Sequence, residues 1–263
     1  RVVIGTVDPN ERVCGRGISR MREAGIEVVV GVLEEQCQQI NRPFFISHTL
    51  SRPYILLKWA QTSDGYLDVV RDEGTSTKWF TGWLNKLLVH RERSHFDAIA
   101  VGTNTVVMDD PELTTREYFG KSPVRITFDR RLRLPVSSRI FNDRAATLLF
   151  TSFENQSAAQ QKFCCHTQVS IFAIDFTQPV PPQVVEVLAQ QKIQSLIIEG
   201  GEKLLQSFID HRLYDNILVF KSDRTLSQIH QREGACGIKA PVVVECGKVA
   251  ERKRVLDCTV ELR

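Results

Sequence analysis

The 263-residue sequence lacks three features that would each indicate a particular class of protein. It has no run of roughly 18 uninterrupted apolar residues, so it predicts no membrane-spanning helix. Its seven cysteines are odd in number and include no C-x-x-C pair, which argues against a disulfide framework and a structural zinc site. Its net charge is only +3, with no basic cluster interleaved with aromatic residues. We therefore expect a protein of the reducing cytoplasm that binds neither membranes nor nucleic acid.

Signatures of hydrolytic and metal chemistry are missing as well. The sequence contains no G-x-S-x-G, H-E-x-x-H or P-loop pattern. His166 lies beside Cys164 and Cys165, but adjacent residues of a strand point to opposite faces, so this group is not expected to hold a metal ion. The sequence predicts no metal site.

The first residues, RVVIGTVDPN, show neither an initiator Met nor a signal-peptide pattern. Because the chain opens directly on an apolar strand, we expect it to be part of something longer. Strand, helix and strand patterns up to residue 33, followed by a helix from residue 34, predict a small end piece over residues 1–48. A second domain is expected over residues 49–263.

Strands and helices alternate along this second domain. YILLKWA, FDAIAVG and SLIIEGG are predicted strands, VLDCTVELR is one closing strand, and EKLLQSFIDHRL is an amphipathic helix. Such alternation predicts an α/β fold with a mostly parallel sheet.

Polar residues follow four of the predicted strands, where ligands of open α/β sheets gather. These segments are residues 58–64, 102–110, 129–130 and 199–201. In the last of them, two glycines after Glu199 would let a phosphate approach backbone N–H groups at a helix N-terminus. The alternative is a turn that needs glycine only for its dihedral angles.

The other segments leave similar alternatives open. Lys58 interrupts an apolar strand and either reaches solvent or points into a pocket for an anion or carbonyl. Asp109-Asp110-Pro111 is by itself typical of a capped, solvated turn. Trp79 is either a core residue or a stacking wall for a ligand. These residues alone do not decide between structure and function.

Four segments in this order and spacing nevertheless resemble the reductase domain of the bifunctional riboflavin-biosynthesis deaminase/reductases. They are RPYILLKWAQTSDG, DAIAVGTNTVVMDDPELTTR, PVRITFDRRLRLP and IIEGGEKLLQSFI, and the resemblance covers residues 50 to about 220. Residues 1–37 resemble the last part of the deaminase domain. The zinc-binding H-x-E and P-C-x-x-C segments of such deaminases are absent from these 263 residues, so we do not expect this chain to deaminate.

This resemblance implies a dihydrofolate-reductase-like fold and NADPH-dependent reduction of a ribosyl group to ribityl. The implied substrate is 5-amino-6-(5-phosphoribosylamino)uracil, and zinc would belong only to the deaminase part that the chain lacks. The resemblance also implies a cytoplasmic homodimer.

By position, the resemblance assigns Lys58 and Glu199 as catalytic residues. Arg93 and Arg116 are expected to clamp the substrate phosphate through charge-assisted hydrogen bonds. The implied substrate-binding residues are Thr77, Arg93, Leu113, Arg116 and Glu199. The implied cofactor-binding residues are Gln61, Trp79, Thr105, Asp109, Arg130, Gly201, Glu202, Lys203, Leu204, Leu205, Gln206 and Ser207.

Arg130 stands where some relatives carry a smaller residue, and it is expected to bind the extra phosphate of NADPH. The turn over residues 102–110 would then contact the cofactor. After Val219, the segment FKSDRTLSQIHQREGACGIKAP departs from the family pattern, so no contacts are assigned there.

Two other functions fit part of the pattern. An NADPH reductase acting on a pterin-like heterocycle would keep the Glu199-Gly200-Gly201 turn but would not need the phosphate clamp of Arg93 and Arg116. A nucleotide-binding module without turnover would be compatible with the altered segment after Val219.

Overall fold

The structure, a computed structural model, describes residues 1–70, 82–230, 236–243, 251–255 and 258–263. The predicted contacts of Thr77 and Trp79 lie outside these residues. The chain forms two compact units, Arg1–Tyr54 with Val185–Ser195, and Ile55–Val184 with Leu196–Arg263. The expected division between residues 48 and 49 is close to the first of these boundaries, but the return of Val185–Ser195 to the first unit was not anticipated.

The first unit begins with two short parallel strands and three helices. They are β1 (Val2–Ile4), α1 (Arg16–Glu23), β2 (Val28–Val30), α2 (Glu34–Ile40) and α3 (Arg42–Thr49), with β1 paired to β2. The predicted strand, helix, strand and helix are all present. α3 is an additional helix, which begins at Arg42 because Pro43 is well tolerated in a first helical turn.

The remaining elements alternate between strands and helices for most of their length. They are β3 (Tyr54–Gln61), β4 (Tyr66–Val69), α4 (Trp83–His95), β5 (Ala98–Val101), α5 (Thr103–Asp109), β6 (Val124–Phe128), β7 (Thr147–Ser152), α6 (Gln156–Lys162), β8 (Val169–Ile174), α7 (Val180–Gln190), β9 (Ser195–Glu199), α8 (Glu202–Asp210), β10 (Asn216–Ser222), α9 (Leu226–His230), β11 (Gly237–Lys239), β12 (Glu251–Val255) and β13 (Cys258–Leu262).

Nine of these strands form one sheet in the order β12-β13-β10-β3-β9-β5-β6-β7-β8. β10 pairs with β3 in parallel, and so do the successive pairs from β9 to β8. Only β13 with β10 and β12 with β13 are antiparallel among the described pairs of this sheet. The prediction of an α/β fold with a mostly parallel sheet is therefore confirmed.

The middle of this sheet is buried because its strands are apolar on both faces. Ile55, Leu57, Ile99, Leu196 and Ile197 are each 0% exposed. Continuous apolar runs of this kind are typical of parallel strands covered on both sides. The few polar groups on these strands are therefore conspicuous, since burying them is unfavourable unless they are paired.

Two local expectations were wrong, whereas the closing strand expected over residues 255–263 is present as β13 and is preceded by a further strand, β12. Residues 103–109 form the helix α5 and not a turn, because Val106 is buried and Gly102 precedes the helix in an extended conformation. Cys164 and Cys165 lie in the turn after α6, where their Sγ atoms are 3.7 Å apart, so they do not point to opposite faces of a strand.

Across the described ranges, no group of three or more His, Cys, Asp or Glu side chains is arranged to hold a metal ion. Within those same ranges, no helix has the length and apolar character needed to span a membrane.

Candidate active site

A cavity of about 1270 Å³ opens in the second unit, where several parallel strands end. Lys58 and Ala60 of β3, Val101 of β5, Phe128 of β6 and Glu199 of β9 all contribute to its lining. This is the edge of an open α/β sheet at which ligands are expected. The volume is ample for a dinucleotide or for a cofactor together with a small substrate.

Glu199 is the centre of a buried charged cluster in this cavity. Its carboxylate accepts hydrogen bonds from Arg93 Nη2 at 2.8 Å and Nε at 3.4 Å, and Lys58 Nζ lies 4.0 Å away. All three residues are at most 9% exposed. Burial alone would raise the pKa of Glu199, but the charges of Arg93 and Lys58 outweigh it and lower the pKa to about 2. Glu199 is therefore ionised at neutral pH.

Lys58 belongs to the same cluster, and its neighbours have opposing effects on its pKa. Burial lowers the pKa of its ammonium group below the ordinary value, and Arg93 adds to that effect, while Glu199 opposes it. Nζ also lies 5.3 Å from the centre of the Phe220 ring, within the range of a cation–π contact. A lysine with a lowered pKa gives up its proton more readily than an exposed one.

His90 and Arg116 form a second contact in the cavity. The backbone N–H of Arg116 donates to His90 Nδ1 at 3.3 Å. His90 is 2% exposed, whereas Arg116 is exposed, and both line the cavity. Burial, together with the charges of Arg93 and Arg116, lowers the pKa of His90 to about 4. The imidazole is therefore neutral at neutral pH.

The turn from β9 to α8 forms a small cradle beside Thr105. Gly200 and Gly201 have φ angles of +66° and +76°, which L side chains rarely adopt. A Cβ on Gly200 would lie 3.2 Å from Thr105 Oγ1, and one on Gly201 would lie 3.4 Å from it. Glycine is thus required both for backbone conformation and for the approach of Thr105, and the first N–H groups of α8 stay accessible to an anion.

Arg133 lines the cavity, whereas the family resemblance implied a role for Arg130. Asp129 is fully buried and accepts the backbone N–H groups of Arg133 and Leu134, each at 2.8 Å. The Arg133 guanidinium donates to Asn104 Oδ1 at 2.9 Å. Arg130 does not line the cavity and instead lies 6.0 Å from the centre of the Phe176 ring.

Leu113 lies in the cavity wall with a strained backbone. Its φ of +57° is uncommon for a residue with a side chain, and the residue is only 3% exposed. The neighbouring Glu112 fixes this segment, because its buried carboxylate pairs with Arg139 at 3.1 Å and with Arg144 at 2.8 Å. Strain of this kind is typical of functional sites.

Most of the sequence-predicted residues that the structure describes meet in this cavity, but four do not line it. Gln61 accepts a hydrogen bond from Trp59 Nε1, Leu205 is fully buried, and Gln206 exchanges two hydrogen bonds with the backbone of Val242. Arg130 is the fourth. Those that do line it are Lys58, Arg93, Thr105, Asp109, Leu113, Arg116, Glu199, Gly201, Glu202, Lys203, Leu204 and Ser207.

Sequence reasoning missed His90 and Arg133. His90 precedes Arg93 by three residues in α4, and this spacing puts both on one helix face, which was a usable signal. Arg133 gave no such signal, because its position depends on the turn that Asp129 organises.

Comparison with known proteins gives results that agree with this geometry. Residues 53–226 match the model of the RibD C-terminal domain. The chain is 37% identical over 230 residues to the riboflavin biosynthesis protein RibD of Aquifex aeolicus, an alignment that covers 87% of this chain and 62% of the relative. The chain spans about three fifths of the length of the curated relatives that it matches first.

Solved structures show the same similarity. A diaminohydroxyphosphoribosylaminopyrimidine deaminase/5-amino-6-(5-phosphoribosylamino)uracil reductase from Thermotoga maritima superposes with a TM-score of 0.82 at 30% identity, covering 100% of this chain and 70% of that one. Acinetobacter baumannii RibD superposes with a TM-score of 0.80 at 24% identity, covering 99% and 71%, and this likeness concerns the fold alone.

Proposed function

The chain belongs to the RibD C-terminal domain family, and on this premise we propose that its second unit is an NADPH-dependent reductase of riboflavin biosynthesis. The proposed reaction reduces the ribosyl group of 5-amino-6-(5-phosphoribosylamino)uracil to ribityl. Residues 1–48 are proposed to correspond to the end of a deaminase domain. The protein is further proposed to act in the cytoplasm as a homodimer.

The observation that carries this proposal is one cavity lined by two kinds of group. The Gly200-Gly201 cradle, Thr105 and the N-terminus of α8 suit a dinucleotide phosphate, because backbone N–H groups and the helix dipole favour an anion there. Lys58 and Arg116 in the same cavity suit a phosphorylated substrate. A hydride reductase needs donor and acceptor side by side in this way.

The residues present fit the cofactor, since side chains at Gly200 and Gly201 would meet Thr105 and fill the cradle. NADPH, when bound, supplies the hydride that reduces C1 of the opened sugar. The exposed guanidinium of Arg133 is placed to bind the additional phosphate that distinguishes NADPH from NADH.

Lys58 is the better candidate for the accompanying proton. Glu199, with a pKa of about 2, carries no proton to give at neutral pH. Lys58 has a lowered pKa and lies 4.0 Å from Glu199, whose carboxylate stabilises the charged form of the lysine before transfer. Arg93 is directed at Glu199 by two hydrogen bonds, so we assign it to orienting the carboxylate and leave the phosphate to Arg116.

The assay that tests this function follows NADPH oxidation by absorbance. It uses the deaminated phosphoribosylaminopyrimidinedione and, alongside it, the precursor that still carries its amino group. Turnover with the first substrate, and a rise of KM by about tenfold or more in Arg116→Ala, would support the reductase and its phosphate contact. NADPH binding without turnover on either substrate would reject it.

A further inference from the structure

The two ring nitrogens of His90 have different surroundings. Nδ1 accepts the backbone N–H of Arg116 at 3.3 Å. For Nε2, no hydrogen-bond partner exists among the residues that the structure describes. His90 is 2% exposed and lines the cavity, so a ligand in the cavity is within reach of the ring.

The hydrogen bond to Nδ1 determines the tautomer of the ring. An imidazole nitrogen that accepts an N–H cannot itself carry a proton, so the single proton of the neutral ring resides on Nε2. His90 therefore offers an N–H donor to the cavity without offering a positive charge.

The surrounding charges keep the ring in this neutral form. Arg93 from the same helix and Arg116 from the facing segment both oppose a second proton on the ring, and burial does so most strongly. Glu117 and Glu199 act in the opposite direction but do not outweigh these effects. The pKa of His90 is lowered to about 4, so the donor persists across the physiological pH range.

From this geometry we propose that His90 binds ligand as a neutral donor, with Nδ1 fixing the Arg116 backbone and Nε2–H donating to an oxygen atom of the phosphorylated sugar. The identity of that sugar rests on the proposed reductase function. The ring thus has two roles: it holds the segment that carries Arg116, and it donates a hydrogen bond to an acceptor oxygen next to the phosphate.

A neutral donor suits an uncharged oxygen better than a further cation would. Lys58 and Arg116 already supply positive charge in the cavity, and Arg93 is directed at Glu199. A sugar hydroxyl or ether oxygen needs a directed hydrogen bond and gains little from further charge. A ligand that lacks this oxygen would leave Nε2–H unsatisfied when water is excluded, which penalises its binding.

The first test determines the tautomer and needs no activity. The protein is labelled with ¹⁵N-histidine, and the ring signals are recorded by NMR from pH 8 to about 4, with His90 identified by its loss in His90→Gln. We expect a protonated Nε2 and a bare Nδ1 at pH 7, and a shift of the Nε2 signal when ribose 5-phosphate is added. A proton on Nδ1, or a cationic ring at pH 6, would overturn the proposal.

The second test separates ligand binding from structure. His90→Leu removes both ring nitrogens and should raise the KM for the phosphorylated substrate about tenfold, with kcat and the KM for NADPH changed far less. His90→Gln keeps a donor and an acceptor and should recover part of this loss. His95→Leu, an exposed position on the same helix, should leave all three constants unchanged.

A correct tautomer with no response to ribose 5-phosphate and no change in KM would reduce His90 to a packing residue and defeat the proposal. If the wild-type chain shows no turnover, the reductase function fails, while the NMR response to ribose 5-phosphate still decides the role of His90.

Discussion

Glu199 and His90 lie beside the same arginine, and this neighbour gives the two side chains opposite preferences for a proton. Arg93 favours the ionised carboxylate of Glu199 and disfavours a cationic ring at His90. The free energy of unfolding should therefore depend on pH through both residues, in two different ranges.

For His90, the folded pKa of about 4 lies below the ordinary value of 6.5, so the unfolded chain takes up the proton first. Its contribution to stability is complete above pH 6.5 and is lost as the pH falls towards 4. In urea unfolding at pH 7, 5.5 and 4.5, the free energy of unfolding of His90→Gln should fall less with decreasing pH than that of the wild type. That of His95→Gln should fall as in the wild type. An unchanged pH dependence of the free energy of unfolding in His90→Gln would contradict the buried, neutral state of the ring.

Glu199→Gln should destabilise the protein strongly, because it leaves Arg93 and Lys58 buried without their carboxylate. Breaking a buried ion pair from one side costs about 3 kcal/mol or more. The pairing of Glu199 is complete above pH 4.5 and is lost as the pH falls through about 2, so the measurement belongs at pH 7.

The control for this variant is Glu117→Gln, which breaks the more exposed pair of Glu117 with Lys86. Such a pair is worth roughly 1 kcal/mol or less. Equal losses in the two variants would show that Glu199 is not buried as described.

Arg133 and Arg130 provide a matched pair of surface arginines. Arg133→Ala should raise the KM for NADPH about tenfold or more and leave the KM for NADH nearly unchanged, because the lost contact concerns the extra phosphate. Arg130→Ala should change neither constant, since that side chain lies outside the cavity lining. The reverse ranking would restore the assignment made from the sequence.

At the scale of elements, the turn between β9 and α8 depends on glycine for two separate reasons. Gly200→Ala would place a Cβ 3.2 Å from Thr105 Cγ2 and Oγ1 while keeping a φ of +66°. The dihedral penalty alone is about 1–2 kcal/mol. We expect lower stability in urea and weaker NADPH binding.

Two further variants separate the causes. Thr105→Ala combined with Gly200→Ala should relieve the steric part of the loss but not the dihedral part. Gly17→Ala, in α1 with no atom within 4 Å of the added Cβ, should stabilise the protein by roughly 0.5–1 kcal/mol or leave it unchanged. A Gly200→Ala chain as stable as the wild type would refute the close approach.

Local sequence patterns predicted the main elements because burial and periodicity coincide in them. β3, β5 and β9 are mainly apolar on both faces, and two polar residues of these strands do meet, Lys58 within β3 and Glu199 at the end of β9. α5 was not predicted, because Asp109-Asp110-Pro111 is typical of a turn while the helix depends on burying Val106. Tertiary contacts decide whether such a segment forms a helix, and the local sequence pattern does not contain them.

At the scale of the whole molecule, the division of the chain into two units was only partly predictable from the sequence. Residues 185–195 are assigned to the first unit, although α7 begins and β9 ends among residues of the second. Nothing in the periodicity of this segment distinguishes the two environments, because both bury apolar residues. The cavity itself was easier to anticipate, since the ends of parallel strands meet wherever such a sheet forms.

Binding of NADPH should stabilise the whole molecule against heat. At a concentration of 100 times Kd, a ligand adds about 2.7 kcal/mol to the free energy of unfolding. For a chain of this size that corresponds to a rise in Tm of roughly 5–10 °C. In a thermal scan, NADH at equal concentration should give a smaller rise, and Arg133→Ala should remove the difference. Equal shifts with both nucleotides in the wild type would argue against selection of the extra phosphate.

The position of β3 in the sheet also bears on how the protein is made in the cell. Both neighbours of β3, β9 and β10, are encoded after residue 194, so Lys58 is synthesised roughly 140 residues before Glu199. At about 5–20 residues per second, a ribosome takes roughly 7–28 s to cover that distance. During this time an apolar strand with an uncompensated lysine has left the ribosome without either of its neighbours. We expect the nascent chain to need chaperone protection at this stage, and the cavity to form only after β9 and β10 have been synthesised.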